Sequence, residues 1–207
     1  MRSGLRGRFK RSWEFRREGT RESEWAMNQN LDSTIALLAR TPAALGALLR
    51  DLPEEWTHGK EGPNTWSATD VVAHLVHCEH DDWPPRARVI LQADGDHVFP
   101  PFNREEHVRY SSGKSLHQLL DEFAQVRARN LGELRALSLT PEDLERRGSH
   151  PALGEVTLSQ LLATWATHDM THLHQISRVM AHQYRDAVGP WVRFLGVMQC
   201  AGHSASS

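Results

Sequence analysis

His168 and His172 stand four residues apart in the segment His168-Asp169-Met170-Thr171-His172. In a helix that spacing puts both imidazoles on one face, with Cβ atoms roughly 5–6 Å apart. Two ring nitrogens can then reach one metal ion at about 2.0–2.1 Å. Leu161, Leu162, Trp165, Ile176 and Val179 flank the pair, so its surroundings are expected to be protected. Two histidines leave a metal under-coordinated, and metal sites in helical bundles draw their ligands from facing helices. An upstream segment offers His74, His77, Cys78, Glu79 and His80, of which His74 shares a side with Val71 and Cys78. His74, His168 and His172 therefore form a candidate metal site with open positions for water or substrate, the mark of catalytic rather than structural zinc.

The elements that must position these residues read as helices. Leu31, Ile35, Leu38, Leu45, Leu48, Leu49 and Leu52 keep helical spacing from about residue 30 to 51, with a kink or restart expected at Thr41-Pro42. Ser67-Ala68-Thr69-Asp70 resembles a capping box opening a helix over about 68–93, which Pro84-Pro85 should break or bend. Residues 94–113 read as a long loop, a lid or a mobile segment. Ser115-Leu116-His117-Gln118 and Thr157-Leu158-Ser159-Gln160 are further capping boxes, opening helices to about Leu137 and His182. Trp191–Met198 reads as a short C-terminal helix, and strand signals are nearly absent. The fold class expected is all-α, a four-helix bundle with long connections and a short C-terminal helix.

The pattern Trp66-Ser67, His74-Leu75, Glu79, then Gly154-Glu155-Val156-Thr157-Leu158 leading into His168-Asp169-Met170-Thr171-His172-Leu173-His174-Gln175-Ile176, resembles the DinB-like superfamily. The likeness runs from about Asn28 to Met180 and is sharpest in the two histidine-bearing segments. It implies a four-helix bundle holding a divalent metal through one histidine of the second helix and two of the last, positions matched here by His74, His168 and His172. It also implies, from characterised relatives, transfer or isomerisation chemistry with bacillithiol, mycothiol or glutathione. The function expected is a metal-dependent transferase in which a metal-activated low-molecular-weight thiolate attacks an electrophile. A metal-dependent hydrolase and a non-catalytic metal-binding stress-response protein are the alternatives. Three histidines suit zinc, nickel, iron or copper and do not choose among them.

Glu79, Asp169 and Gln175 are candidates to orient the ligands from behind, although an ion pair or helix cap serves equally for Glu79. Asp169 is one methylene too short for the glutamate of a His-Glu-x-x-His protease helix, and no strand accompanies it. Cys78, four residues after His74, is a donor by type, but a buried free cysteine ordinarily behaves as a small hydrophobe. His77, His80 and His174 are expected to be exposed or behind the ligands, and Trp66 and Trp165 to be core or pocket wall. Arg104, Arg109 and Tyr110 are candidate substrate contacts. A ferritin-like di-iron site needs Glu-x-x-His motifs that the last helix cannot supply.

A net charge of −2 gives no support to nucleic-acid binding, and no apolar run is long enough to span a membrane. Two cysteines suggest no disulfide framework and a cytoplasmic setting. Seven tryptophans in a bundle suggest a homodimer. The partner expected otherwise is a small-molecule substrate. Residues 1–27 read as a disordered basic tail or a spurious N-terminal extension, 28–200 as the bundle, and 201–207 as a disordered C terminus.

Overall fold

The structure, a computed structural model, describes residues 31–200, so the expectations for 1–27 and 201–207 lie outside the described residues. The leading amphipathic stretch divides into α1 (Leu31–Leu38) and α2 (Thr41–Leu49), with Pro42 in the first turn of α2, where a missing N–H costs nothing. A short α3 (Glu54–His58) leads to α4 (Ala68–Asp81) and α5 (Trp83–Leu91). Pro84 and Pro85 fall in the first turn of α5, so the expected break comes at Asp82. α7 (Leu116–Ala136) and α9 (Leu158–His182) are the two longest helices.

Each long helix is started by its own sequence. Ser67 and Asp70 form a reciprocal capping box for α4, Ser115 and Gln118 for α7, and Thr157 and Gln160 for α9. α1–α2, α4–α5, α7 and α9 make a four-helix bundle, with α4 packed against α5, α7 and α9. From Val71 to Glu79 every side chain of α4 is buried, which is how a helix enclosed on all sides looks. One apolar cluster joins Leu45, Leu49, Leu75, Leu119, Phe123 and Ile176; another joins Ile35, Leu38, Ile90, Leu131, Leu158 and Trp165. Among the described residues no helix is long and apolar enough to cross a membrane.

Three expectations need correction. Residues 94–113 are not a bare loop. They hold a 3₁₀ turn (Arg104–Glu106) and α6 (His107–Ser111), capped where the Asn103 side chain accepts from the Glu105 N–H. Beyond the short α8 (Pro141–Leu144) the chain makes a hairpin, β1 (Arg147–His150) with β2 (Gly154–Thr157), paired from Arg147 opposite Thr157 to His150 opposite Gly154. The C-terminal segment forms two 3₁₀ turns, Gly189–Phe194 and Gly196–Met198, rather than one helix.

The hairpin matters for the site because Thr157 ends β2 and caps α9, which carries His168 and His172. Gly148 in β1 lies against Phe99 and Ile90: a Cβ there would press into the Phe99 ring and sit 2.9 Å from Ile90 Cγ1. Gly148→Ala should cost about 1–3 kcal/mol through this overpacking. Urea unfolding of the two proteins checks it, and equal midpoints would show that Phe99 yields without cost.

Candidate functional site

The three histidines predicted from spacing come together. His74 comes from the middle of α4, where 2 % of its surface is exposed; His168 and His172 are successive turns of α9. His74 Nε2 lies 3.3 Å from His168 Nε2, and His168 Nε2 lies 3.0 Å from His172 Nε2. Two nitrogens bound at 2.0–2.1 Å to one tetrahedral ion are separated by about 3.3 Å, so the spacing suits ligands of a common cation. A neutral ring has a single N–H to offer, so His168 Nε2 faces two imidazole nitrogens and can donate to at most one of them. Burial, with the neighbouring His172, His168 and Arg104, pushes the His74 pKa far below the ordinary imidazole value. The ring is therefore neutral, the form that binds metal.

Gln175 lies one turn beyond His172 in α9. Its Oε1 lies 2.7 Å from His172 Nδ1, a contact that requires Nδ1 to donate. That fixes the tautomer and leaves the Nε2 lone pair pointing into the cluster.

Glu79 and Asp169 do something different from the expected contact with the ligands. Both carboxylates close on Arg127, a fully buried residue of α7 that the sequence reading passed over. Arg127 donates to Asp169 Oδ2 at 2.6 Å, to Asp169 Oδ1 at 3.0 Å, to Glu79 Oε1 at 2.8 Å and to the Leu38 carbonyl at 2.8 Å. Trp165 Nε1 and Asn130 Nδ2 also donate to Glu79, and Thr41 Oγ1 donates to Asp169 Oδ2 at 2.6 Å. Burial works against the Arg127 charge, but Glu79 and Asp169 outweigh it and hold its pKa above the usual guanidinium value. The network ties α2, α4, α7 and α9 together directly behind the histidines, since Asp169 follows His168 and Glu79 follows Cys78. Its sequence signal was positional: Arg127 lies four residues from Phe123 and Leu131, inside the apolar stripe of α7.

Cys78 is closer to the cluster than a core hydrophobe need be. Its Sγ lies 3.4 Å from His74 Nε2, and His74, Cys78 and His168 offer ligand atoms all within 4.8 Å of one another. Burial, reinforced by Asp82, Glu79 and Asp169, pushes its thiol pKa well above the ordinary value. A second group, His77, Asp81 and Glu106, also lies within 4.8 Å. His77, expected outside the packed face, is 1 % exposed and stacks on Phe102 and Tyr110. The acids of that group are engaged: Tyr110 donates to Asp81 at 2.5 Å, and Arg109 pairs with both Asp81 and Glu106. His80 pairs with Glu122, and His174 is exposed, as expected.

A cleft of about 250 Å³ opens onto the three histidines and is lined also by Asp82, Phe102, Arg104 and Thr171. Of the expected substrate contacts only Arg104 reaches it; Arg109 and Tyr110 turn to Asp81. Trp66 packs beside His74 and His107, its ring centroid 4.9 Å and 4.4 Å from theirs. Asp82 was not foreseen, because only the helix break at the α4–α5 junction brings it into the cleft. Arg86 Nη1 is 2.8 Å from Asp82 Oδ1, at an angle too poor for a hydrogen bond. Burial, only partly offset by Arg86, pushes the Asp82 pKa up to about 6.

A raised carboxyl pKa fixes the sign of a pH effect in the metal-free protein. Below about pH 4 the group is protonated whether folded or unfolded, and its burial costs little. Between about pH 4 and 6 the unfolded chain ionises first, so stability falls as pH rises, by up to about 3 kcal/mol. Asp82→Asn removes this slope, so urea midpoints of variant and parent should diverge in that window. Parallel profiles would show an ordinary carboxylate.

The sequence model of the DinB superfamily matches residues 37–176, more than half of the chain. Among solved structures, YfiT from Bacillus subtilis is similar at 19 % identity and a TM-score of 0.63, over 75 % of this chain and 89 % of that one. It is described as a probable metal-dependent hydrolase with an unusual four-helix bundle topology. TT2238, described as a four-helix bundle protein, is similar at 22 % identity and a TM-score of 0.46, over 71 % of this chain and 98 % of that one. No curated protein matches. The bundle and the family match agree, and the chain belongs to the DinB superfamily.

Proposed function

We propose that the chain is a metal-dependent enzyme in which His74, His168 and His172 hold one divalent ion, zinc, nickel or iron, and a low-molecular-weight thiol is transferred to an electrophile. The reading is carried by three imidazoles whose Nε2 atoms approach to 3.3 and 3.0 Å on the wall of an open cleft. A divalent ion held by three neutral ligands keeps its full charge and lowers the pKa of a thiol or water that joins it. The chain supplies the rest. Gln175 holds His172 in the metal-binding tautomer, and Arg127 locks α4 and α9 in register through Glu79 and Asp169. Cys78, buried beside His74, stays outside the ligand set in this reading, which leaves the cleft side open. Asp82 on the cleft wall is placed to accept a proton from an incoming nucleophile.

Water as the nucleophile, giving a hydrolase, is the second reading. Asp82 favours it, because a carboxylate on the cleft wall beside the three histidines can serve as a general base for water, and YfiT's description points the same way. Both reactions can be followed on zinc-loaded, metal-free and His172→Ala protein: conjugation of glutathione to monochlorobimane, and hydrolysis of p-nitrophenyl acetate. Transfer predicts zinc-dependent conjugation that His172→Ala abolishes. Zinc-dependent hydrolysis without conjugation would replace it by the second reading, and neither activity would leave a metal-binding protein without turnover.

A further inference from the structure

Among the described residues, Arg104 is the one cation on the cleft wall without an acidic partner. Asp82 and Arg86 face one another at 2.8 Å, whereas no carboxylate among the described residues pairs with the Arg104 guanidinium. The side chain is nevertheless held. Its guanidinium carbon lies 5.7 Å from the centre of the Trp66 ring, a cation–π arrangement. Its carbonyl accepts from His107 Nδ1 at 2.8 Å, and His107 is itself buried beneath Trp66. Arg104 opens the 3₁₀ turn that Asn103 caps, so its backbone is fixed from both sides. An arginine ordered in advance, with no carboxylate of the described residues as counter-ion and lining a cleft of about 250 Å³, presents a planar fork of donors to an anion.

Resting on the metal reading above, we propose that Arg104 anchors a carboxylate or phosphate group of the small molecule whose reacting end meets the three histidines. Substrates of this site are therefore anionic and small, with the charged group separated from the reacting atom. Thr171, also on the cleft wall, spends its hydroxyl proton on the Thr167 carbonyl at 3.0 Å, so Arg104 is left as the wall's charged donor.

The test compares 3-mercaptopropionate with 2-mercaptoethanol on cobalt-loaded protein, followed by sulfur-to-cobalt charge-transfer absorption. The carboxylate thiol should bind about 10- to 100-fold more tightly, the range of charge-assisted hydrogen bonds. Arg104→Met should erase that preference, leaving 2-mercaptoethanol affinity and the cobalt d–d bands unchanged. Equal affinities in the parent, or a preference that survives in Arg104→Met, overturn the anchor. Inorganic phosphate, titrated by calorimetry with and without cobalt, separates the anchor from the thiol reading. If neither thiol alters the cobalt spectrum, the thiol reading fails. Phosphate binding that falls at least tenfold in Arg104→Met then still supports the anchor, and phosphate binding that is absent or unchanged overturns it.

Discussion

Arg127→Met should lower stability by about 3–5 kcal/mol, the cost of breaking a buried ion pair by removing one partner. For a chain of this size that corresponds to a fall in Tm of roughly 10 °C. The substitution keeps the apolar stem against Phe123 and Trp165 but strands Glu79 and Asp169, both 1 % exposed, as buried carboxylates. A surface pair of the same types would be worth at most about 1 kcal/mol, so the magnitude reports burial rather than charge as such. Adding Glu79→Gln and Asp169→Asn to Arg127→Met should recover much of the loss, because no stranded charge then remains. Urea denaturation of the single and triple variants decides it. A single variant within about 0.5 kcal/mol of the parent would mean the network is not closed as described.

His168→Ala should weaken zinc binding by more than about 100-fold, since loss of an outer-shell partner alone costs roughly 10–100-fold. His168 is the imidazole common to both close approaches, at 3.3 Å to His74 and 3.0 Å to His172. Cys78→Ala should stay within about threefold of the parent, because the proposed ligand set is the three imidazoles and an open position. Chelator competition measures both. A Cys78 variant that loses as much affinity as the histidine variant would make the site four-coordinate and closed, and would count against catalysis.

The parts that were legible in the sequence are those whose physics is local. Capping boxes at Ser67, Ser115 and Thr157 mark three helix starts, and Pro42 and the Pro84-Pro85 pair mark where helices divide. The i, i+4 pair His168 and His172 is local too, and His74 followed from the face it shares with Val71. The hairpin was not legible, because Arg147–His150 and Gly154–Thr157 are four residues each, too short and too rich in glycine and polar residues to display alternation. Arg127 was missed because a charge in an apolar stripe is intelligible only once Glu79 and Asp169, far away in sequence, are brought to it. The same holds for Asp82 and Cys78, whose roles depend on what packs against them.

The most direct test of the metal centre is a crystal of the zinc-loaded chain with data collected at the zinc edge. One strong anomalous peak per chain is predicted, about 2.0–2.1 Å from the Nε2 atoms of His74, His168 and His172. A peak at His77, Asp81 and Glu106 instead, or none near the three imidazoles, would contradict the account.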